Sequence, residues 1–181
     1  MKTINNFHIK NQNVLLRVDL NVPVKDGIVI DKTRIYSIQS SVNQLRLNNN
    51  KIFLLSHFGR PNGQFNKKYS LRFLCEILAN ILQTKEVHFI NSLDGKEIEI
   101  KKNLMKGGDI CLLENIRFYE GEEKNDLHLA KKIAKYFDVY VNDAFSVSHR
   151  KHVSVLGITN YLPSVAGNNL LKEIENLNKL L

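Results

Sequence analysis

The sequence is poor in the residues that mark several large classes of protein. Its 181 residues include only three prolines, nine glycines and two cysteines. So few prolines and glycines argue against a disordered or fibrous chain. Cys75 and Cys111 lie in apolar runs without a CxxC spacing or a neighbouring histidine. We expect both to be buried free thiols in a reducing cytoplasm.

Long hydrophobic runs are also missing from the sequence. No stretch approaches 18 consecutive apolar residues, and residues 1–7 lack the apolar core of a signal peptide. We therefore expect neither secretion nor a membrane-spanning helix, and we expect a cytoplasmic location.

The composition is that of a globular protein with an excess of positive charge. Hydrophobic residues make up 43% and charged residues 24%, which fits one domain or one domain with a short extension. The net charge of +8 is compatible with a lysine-rich surface, with an anionic small-molecule ligand or with nucleic acid. The basic residues form no tract, and no zinc-ligand spacing or RNA-recognition aromatic pattern occurs, so nucleic acid is disfavoured.

Short apolar runs alternate with amphipathic segments along the chain, a pattern typical of βαβ units. We predict strands over residues 13–18, 51–56, 87–90, 109–113 and 138–141. We predict helices over residues 33–47, 70–83, 125–137, 153–159 and 168–181, with Ser70 capping the second. Asp26-Gly27 predicts a hairpin over residues 24–30. The fold class is therefore α/β, with a mostly parallel, Rossmann-like central sheet between two layers of helices.

Arginine is scarce, and most of the arginines follow predicted strands. Seven arginines stand against nineteen lysines, and Arg60, Arg117 and Arg150 each come shortly after an apolar run. A guanidinium group binds carboxylate or phosphate oxygens in pairs, which an ammonium group cannot do. Ligands of parallel α/β sheets bind at the carboxyl ends of the strands. The sequence therefore predicts a site for a small polyanion.

Other polar residues accompany these arginines at the same strand ends. They are Asp19 and Asn21 after the first strand, Arg34 at the start of the next helix and His57 after the second strand. Each has a structural alternative. Asp19 or Asp143 could cap a helix or turn, His57 could be a structural histidine, and Arg34 could reach only solvent. Arg17, inside a strand, is expected to be held by an internal carboxylate.

Several segments together resemble one enzyme family. They are Arg17-Val-Asp-Leu-Asn-Val-Pro23, Ser56-His-Phe-Gly-Arg-Pro61, Leu112-Leu-Glu-Asn-Ile-Arg-Phe118, Val141-Asn-Asp-Ala-Phe145, His149-Arg150 and Lys172-Glu-Ile-Glu-Asn-Leu177. In order and spacing they resemble the amino-terminal lobe of phosphoglycerate kinase. The sequence departs from the usual family pattern at Leu20, Phe58 and residues 146–148, where small or apolar residues replace one another.

The resemblance implies a reversible phosphoryl transfer between 1,3-bisphosphoglycerate and ADP that gives 3-phosphoglycerate and ATP. In the family the amino-terminal lobe binds 3-phosphoglycerate and the other lobe binds Mg-ATP or Mg-ADP. No P-loop occurs in this chain, so we expect no cofactor or metal to bind here. The resemblance further implies a domain over residues 1–167, the start of an interdomain helix over 168–181, an inactive isolated lobe and a monomeric full-length enzyme.

The resemblance also implies roles for individual residues. Arg60, Arg117 and Arg150 would bind the 3-phosphate, with help from His57 and His149. Asp19 and Asn21 would face the hydroxyl and carboxylate end of the substrate, and Phe58 and Gly59 would line its site. Arg34 would be the catalytic residue, beside the carboxylate that exchanges the phosphoryl group. The alternative is a non-catalytic module that keeps the fold and binds another phosphorylated acid.

Overall fold

A parallel β-sheet forms the centre of the molecule in a computed structural model that describes residues 1–179. The strands are β1 (Asn13–Arg17), β2 (Val24–Lys25), β3 (Ile28–Val29), β4 (Lys51–Leu55), β5 (His88–Ile90), β6 (Ile110–Leu113), β7 (Val139–Asn142) and β8 (Ser164–Ala166). Six of them form the sheet in the order β5-β6-β4-β1-β7-β8, and every pair is parallel. The short β2 and β3 pair with each other as an antiparallel hairpin.

Helices cover both faces of the sheet and complete the three layers that the sequence predicts. They are α1 (Thr33–Ser37), α2 (Gln39–Leu47), α3 (Leu74–Ile81), α4 (Lys96–Leu104), α5 (Leu127–Ala134) and α6 (Asn168–Asn178). Single turns of 3-10 helix occupy Lys67–Tyr69, Ile116–Phe118, Phe145–Val147 and Gly157–Asn160. The α/β fold class is confirmed.

Alternate residues of each strand enter different hydrophobic clusters, because side chains alternate across a sheet. Leu16 belongs to the cluster beneath α1, α2 and α3, whereas its neighbour Leu15 belongs to the cluster beneath α4 and α5. Both leucines are fully buried. A central strand that is buried on both faces therefore reads as a continuous apolar run, which is why β1 and β4 are visible in the sequence.

The chain changes direction across the sheet next to β1. From β1 it moves to β4 and on to the edge strand β5, and from β6 it returns past β1 to β7. The carboxyl ends of β1 and β7 therefore flank a topological switch point, where α/β proteins place their ligands. The polar loops after β1, β4, β6 and β7 all lie at this edge.

The hairpin and most strands are where the sequence predicts them, within one or two residues. Asp26 and Gly27 both have positive φ, at 51° and 77°, as a type I′ turn requires. The single helix predicted over residues 33–47 is wrong, because the chain forms α1 and α2 with a break at Ile38. The Ser37 hydroxyl donates to the Arg34 carbonyl at 2.8 Å, a local bond of the type that bends helices.

Two further predictions are corrected by the structure. Ser70 does not cap α3, which begins only at Leu74; its hydroxyl donates to Glu114 and accepts from the Arg72 N–H at 3.3 Å in the turn before the helix. The helix predicted over residues 153–159 is reduced to one 3-10 turn at Gly157–Asn160. Two elements, α4 and the edge strand β8, are present in the structure but are not predicted from the sequence.

The chain enters its last helix at the predicted position. α6 begins at Asn168 and packs against α2 and the 3-10 turn Phe145–Val147. The predicted helix runs to residue 181, and its residues 180 and 181 lie outside the described part of the chain. The division into a domain over 1–167 and an interdomain helix over 168–181 stays a prediction.

Candidate functional site

The loops that follow four neighbouring strands meet at the carboxyl edge of the sheet. β1 leads to Asp19 and Asn21, β4 to His57, β6 to Arg117 and β7 to Arg150. Because all four strands run in the same direction, their loops leave the sheet on the same side. The topology therefore collects the predicted site residues at the switch point described above.

Asp19 accepts three hydrogen bonds at this edge. Its Oδ2 accepts from Arg34 Nη1 at 2.6 Å and from the Ser146 hydroxyl at 2.5 Å, and its Oδ1 accepts from the Asn21 backbone N–H at 3.0 Å. Burial alone would raise the pKa of Asp19, but these bonds and the charge of Arg34 hold that pKa below its ordinary value. Asp19 is therefore a carboxylate held in one orientation.

Arg34 stands at the start of α1 and reaches Asp19 across the edge. Its side chain is 46% exposed, whereas that of Asp19 is 12% exposed. A half-exposed ion pair of this kind is weakly stabilising and can be remade with another anion. The guanidinium group of Arg34 can therefore bind a ligand and Asp19 alternately, or it can donate to both at once.

Asn21, Gly59 and Arg117 form a second chain of hydrogen bonds. The Gly59 N–H donates to Asn21 Oδ1 at 2.9 Å, and Arg117 Nη1 donates to the Gly59 carbonyl at 2.8 Å. One residue of the β4 loop thus fixes side chains from the β1 and β6 loops. Their relative position depends on the backbone of Gly59.

Gly59 occupies a conformation and a space that suit only glycine. Its φ is +60°, and a Cβ atom there would lie 2.4 Å from the Tyr69 ring. The half-buried Phe58 packs against Tyr69 and Phe73, with ring centroids 6.4 and 5.4 Å apart. These three aromatic rings thus pack behind the loop that follows β4 and support it.

Arg117 is buried but not fully satisfied. Its side chain is 6% exposed, and its Nε has no hydrogen-bond partner among residues 1–179. Burial lowers the pKa of Arg117, an effect that Glu123, 3.5 Å from Nε, opposes. Unused donors on a buried cation favour the binding of an anion.

Arg17 belongs to the same group of cations, and the sequence analysis does not include it in the site. It is 1% exposed, and its guanidinium donates to the Val18 carbonyl, to the Ser154 hydroxyl at 3.1 Å and to His57 Nδ1 at 3.1 Å. The internal carboxylate expected for Arg17 is Glu122, which is linked to it through the Ser154 hydroxyl. An arginine inside an apolar strand was the available signal.

His57 is neutral because of these neighbours. Burial and the charges of Arg17 and Arg117 lower the pKa of His57 to about 2. A guanidinium can only donate, so Nδ1 of His57 must accept from Arg17 and its proton must lie on Nε2. The imidazole therefore keeps one N–H donor, at Nε2, for a ligand.

Arg150, Arg60 and His149 are less firmly placed. Arg150 is half-buried, and its charge adds to the effects that lower the pKa values of Arg17, His57 and Arg117. Arg60 and His149 are exposed. Within residues 1–179 neither side chain forms a hydrogen bond or an ion pair, so in the structure they make no polar contact with the other site residues.

Positive charge exceeds negative charge among the side chains of this group. The pairs are Arg17 with Glu122, Arg34 with Asp19 and Arg117 with Glu123, and the arginines left over are the half-buried Arg150 and the exposed Arg60. Five guanidinium groups thus stand beside three carboxylates, while Glu114 and Asp143 at the same edge accept hydrogen bonds from backbone N–H groups. An anion with two or more negative charges would balance the group.

A cleft of about 1030 Å³ opens beside these residues. Asn21, Phe58 and Gly59 line it together with the hairpin and the residues before α3. Its walls include Phe65 and Phe73, so its surface is more apolar than the arginine group. The cleft gives a small molecule access to one flank of the site.

Residues 1–179 bring no three His, Cys, Asp or Glu side chains together as a metal site would require. In the same part of the chain, every helix is too short or too polar to cross a lipid bilayer.

Comparison with known proteins identifies the family to which this chain is similar. The family model described as phosphoglycerate kinase matches residues 4–181. Phosphoglycerate kinase of Fervidobacterium nodosum is 46% identical over 98% of this chain, which corresponds to 44% of that protein. The one from Pseudothermotoga lettingae is 47% identical over 98% of this chain and 45% of its own length.

Solved structures give the same result. Phosphoglycerate kinase from Coxiella burnetii superposes with a TM-score of 0.88 at 34% identity, covering 99% of this chain and 44% of that one. The enzyme from Pyrococcus horikoshii OT3 has a TM-score of 0.88 at 30% identity, over 99% and 45%. The chain thus spans less than half the length of these relatives.

The chain belongs to the phosphoglycerate kinase family and corresponds to the amino-terminal part of its members.

Proposed function

We propose that this chain forms the 3-phosphoglycerate-binding part of a phosphoglycerate kinase. The whole enzyme would transfer a phosphoryl group between 1,3-bisphosphoglycerate and ADP, giving 3-phosphoglycerate and ATP, with a carboxyl group as acceptor in the reverse direction. The observation that carries the proposal is the group of arginines at the carboxyl edge of the sheet, whose charge exceeds that of its carboxylates. 3-Phosphoglycerate carries about three negative charges at neutral pH, which suits such an excess.

The phosphate end of the substrate belongs, in this proposal, with Arg117, Arg150 and Arg60. The Nε of Arg117, which forms no hydrogen bond within residues 1–179, and the half-buried Arg150 support this placement. The neutral His57 would donate from Nε2, and His149 would approach from the same loop as Arg150. Arg60 is exposed and would have to turn inward when the ligand binds.

The hydroxyl and carboxylate end of the substrate belongs with Asp19 and Asn21. Asp19 is an ionised acceptor held by Ser146 and Arg34, and it can accept a hydrogen bond from the substrate hydroxyl. Arg34 would leave or share Asp19 and cover the carboxylate that exchanges the phosphoryl group. Phosphoryl transfer depends on such positioning and charge stabilisation rather than on covalent help from the protein.

The nucleotide belongs outside these residues. The absence of a P-loop motif in the sequence supports this view. We place Mg-ATP or Mg-ADP on the part of the family's chain that lies beyond the matched region. The comparisons lend no support to the alternative of a non-catalytic binding module, since the relatives are named as kinases.

Titration calorimetry with 3-phosphoglycerate tests the proposal on this polypeptide. We expect one binding site whose affinity falls as the salt concentration rises, because the contacts are between opposite charges. Arg117→Ala is expected to weaken binding at least tenfold, the loss of one buried charge-assisted contact. Lys135→Ala removes the same charge from an exposed residue at the C-terminal end of α5 and serves as the control.

Two results would contradict the proposal. One is an absence of heat and of saturable binding at millimolar ligand with the folded wild-type chain. The other is an equal loss of affinity in the Arg117 and Lys135 variants, which would mean that only the net charge of the chain attracts the ligand.

A further inference from the structure

Glu122 is a buried carboxylate that lies outside the residues assigned to the substrate. It follows Arg117 by five residues in the loop between β6 and α5, and none of its surface is exposed. Burial alone would raise the pKa of Glu122, but hydrogen bonds and the charge of Arg17 hold that pKa below its ordinary value. A carboxylate kept ionised in the interior is costly unless it stabilises a partner.

The first partner of Glu122 is Arg17, reached through one hydroxyl group. Ser154 Oγ donates to Glu122 Oε1 at 2.5 Å and accepts from Arg17 Nε at 3.1 Å. Arg17 in turn donates from Nη2 to His57 Nδ1 at 3.1 Å. A continuous chain of hydrogen bonds thus runs from the buried Glu122 through Ser154 and Arg17 to His57 in the site.

The second partner is the loop that carries Arg150. Glu122 Oε2 accepts from the Ser154 backbone N–H at 2.9 Å, and the Glu122 carbonyl accepts from the Val153 N–H at 3.0 Å. His152 Nδ1 lies 3.6 Å from Glu122 Oε1. Three consecutive residues of the β7 loop are therefore tied to one residue of the β6 loop.

We propose that Glu122 is a positioning residue for the site. It holds Arg17, and through it His57, by way of the Ser154 hydroxyl, and it holds Arg150 by fixing residues 152–154. Glu122 itself does not touch the substrate. The inference rests on the proposed function, because it assigns a supporting residue to the same 3-phosphoglycerate site.

The arrangement explains how buried arginines can stay available to a ligand when the protein also buries a carboxylate near them. Glu122 compensates the charge of Arg17 from the interior side, away from the ligand, while its hydrogen bond passes through Ser154. A bidentate salt bridge through Nε and Nη2 would compete with His57 for the Nη2 donors. The intervening hydroxyl leaves Nη2 of Arg17 bonded to the imidazole.

Two network variants, one control and one rescue variant test this role. Ser154→Ala removes the bridging hydroxyl but leaves the Ser154 backbone bond to Glu122, and Glu122→Gln removes the charge at nearly constant volume. Ser41→Ala is the control, because Ser41 is equally buried, in contact with Asn168, and takes no part in this network. Ser154→Thr keeps the hydroxyl and is expected to recover the wild-type behaviour.

The first measurement is the ¹⁵N NMR spectrum of the His57 ring, which needs no substrate. In the wild type we expect one tautomer, protonated at Nε2, with no titration between pH 5 and 8. In Ser154→Ala and Glu122→Gln the Arg17 contact loosens, and we expect a mixture of tautomers or the onset of titration. A general loss of stability would not change the tautomer of a folded protein.

The second measurement is calorimetry with 3-phosphoglycerate. We expect about tenfold weaker binding in Glu122→Gln, a few-fold weaker binding in Ser154→Ala and less than twofold change in Ser41→Ala. The proposal is overturned by a wild-type His57 spectrum in folded Ser154→Ala, or by affinities within twofold of wild type in both network variants. If the wild type binds no 3-phosphoglycerate, the proposed function fails, and the His57 spectra still decide whether Glu122 positions Arg17.

Discussion

At the scale of single residues, backbone groups hold the site's side chains as much as other side chains do. Gly59 donates to Asn21 and accepts from Arg117, so one peptide segment links the two ends of the proposed substrate site. This linkage needs the left-handed conformation of Gly59 and its close approach to Tyr69. Glycine is required there for two separate reasons, and they can be measured separately.

Gly59→Ala is expected to destabilise the chain more than Gly27→Ala. Both glycines have positive φ, which costs an alanine about 1–2 kcal/mol. A Cβ at Gly59 would also lie 2.4 Å from the Tyr69 ring, whereas a Cβ at Gly27 would meet no atom within 4 Å. Relieving that overlap adds roughly 1–3 kcal/mol.

Urea unfolding of the two variants gives the comparison directly. The difference between their free energies of unfolding isolates the Tyr69 overlap from the backbone strain that they share. Equal losses in both variants would mean that Tyr69 moves aside without cost, and the close approach would then not explain the glycine.

The sequence predicts which residues reach the site better than it predicts their contacts. Strand-end arginines are visible because an apolar run precedes each of them, and the fold then brings them to one edge. The pairing of Arg34 with Asp19, and of Arg17 with His57, depends on loop conformations that no local pattern specifies. For Arg17 the sequence predicts an internal carboxylate, but it does not predict the serine hydroxyl that lies between Arg17 and Glu122.

At the scale of elements, periodicity predicts those whose apolar face is large. β1, β4 and α5 bury several residues each and are found where expected. α4 buries only Ile98, and its alternating glutamates and isoleucines resemble a strand pattern more than a helix. β8 has three residues, too few for any period to be recognised.

The start of α6 is fixed by a carboxylate from another element. Asp143, after β7, accepts hydrogen bonds at Oδ1 from the Asn169 and Leu170 N–H groups at 2.8 and 3.2 Å, so it caps α6 as one alternative reading of the sequence suggests. Its Oδ2 is buried and lacks a hydrogen-bond partner within residues 1–179. Burial of the carboxylate outweighs these two bonds and the nearby Ser41 hydroxyl, and it raises the pKa of Asp143 to about 6.

Stability should therefore depend on the protonation of Asp143. Its ordinary pKa is 3.8, so the stabilisation from protonating the folded state is complete below about pH 3.8 and is lost as pH rises through about 6. Asp143→Asn keeps the Oδ1 acceptor and removes this titration. Relative to wild type, the variant should gain up to roughly 3 kcal/mol between pH 4 and pH 7.

The measurement is the free energy of unfolding of both proteins at several pH values across this range. Asp138→Asn is the matched control, because Asp138 is an exposed carboxylate that accepts from Asn13 at the start of β1. Parallel pH curves for wild type and Asp143→Asn would contradict the raised pKa of Asp143.

At the scale of the whole molecule, the carboxyl edge of the sheet carries the clustered arginines, and the rest of the molecule supports that edge. The net charge of +8 is spread over the surface by nineteen lysines, whereas the arginines of the site lie at the ends of neighbouring parallel strands. The chain spans less than half the length of its relatives. In the proposed function, this part positions one substrate, and transfer requires the part that would hold the nucleotide.

This chain alone should therefore bind substrate without turning it over, whereas a longer chain should do both. The 181 residues alone are expected to bind 3-phosphoglycerate without ATP-dependent turnover. Joined to the remaining part of the Fervidobacterium nodosum relative, they should gain turnover, because closure around both substrates brings the phosphoryl group to the acceptor and excludes water.

In that chimera, Arg34→Ala should lower kcat by about 10³-fold, as expected for an arginine that stabilises the transferred group. Arg117→Ala should mainly raise KM for 3-phosphoglycerate, and Lys135→Ala should change neither. Steady-state kinetics on the folded variants, checked by circular dichroism, distinguishes these outcomes. Turnover by the isolated chain, or an effect of Arg34→Ala on KM alone, would contradict the separate roles given to the two arginines.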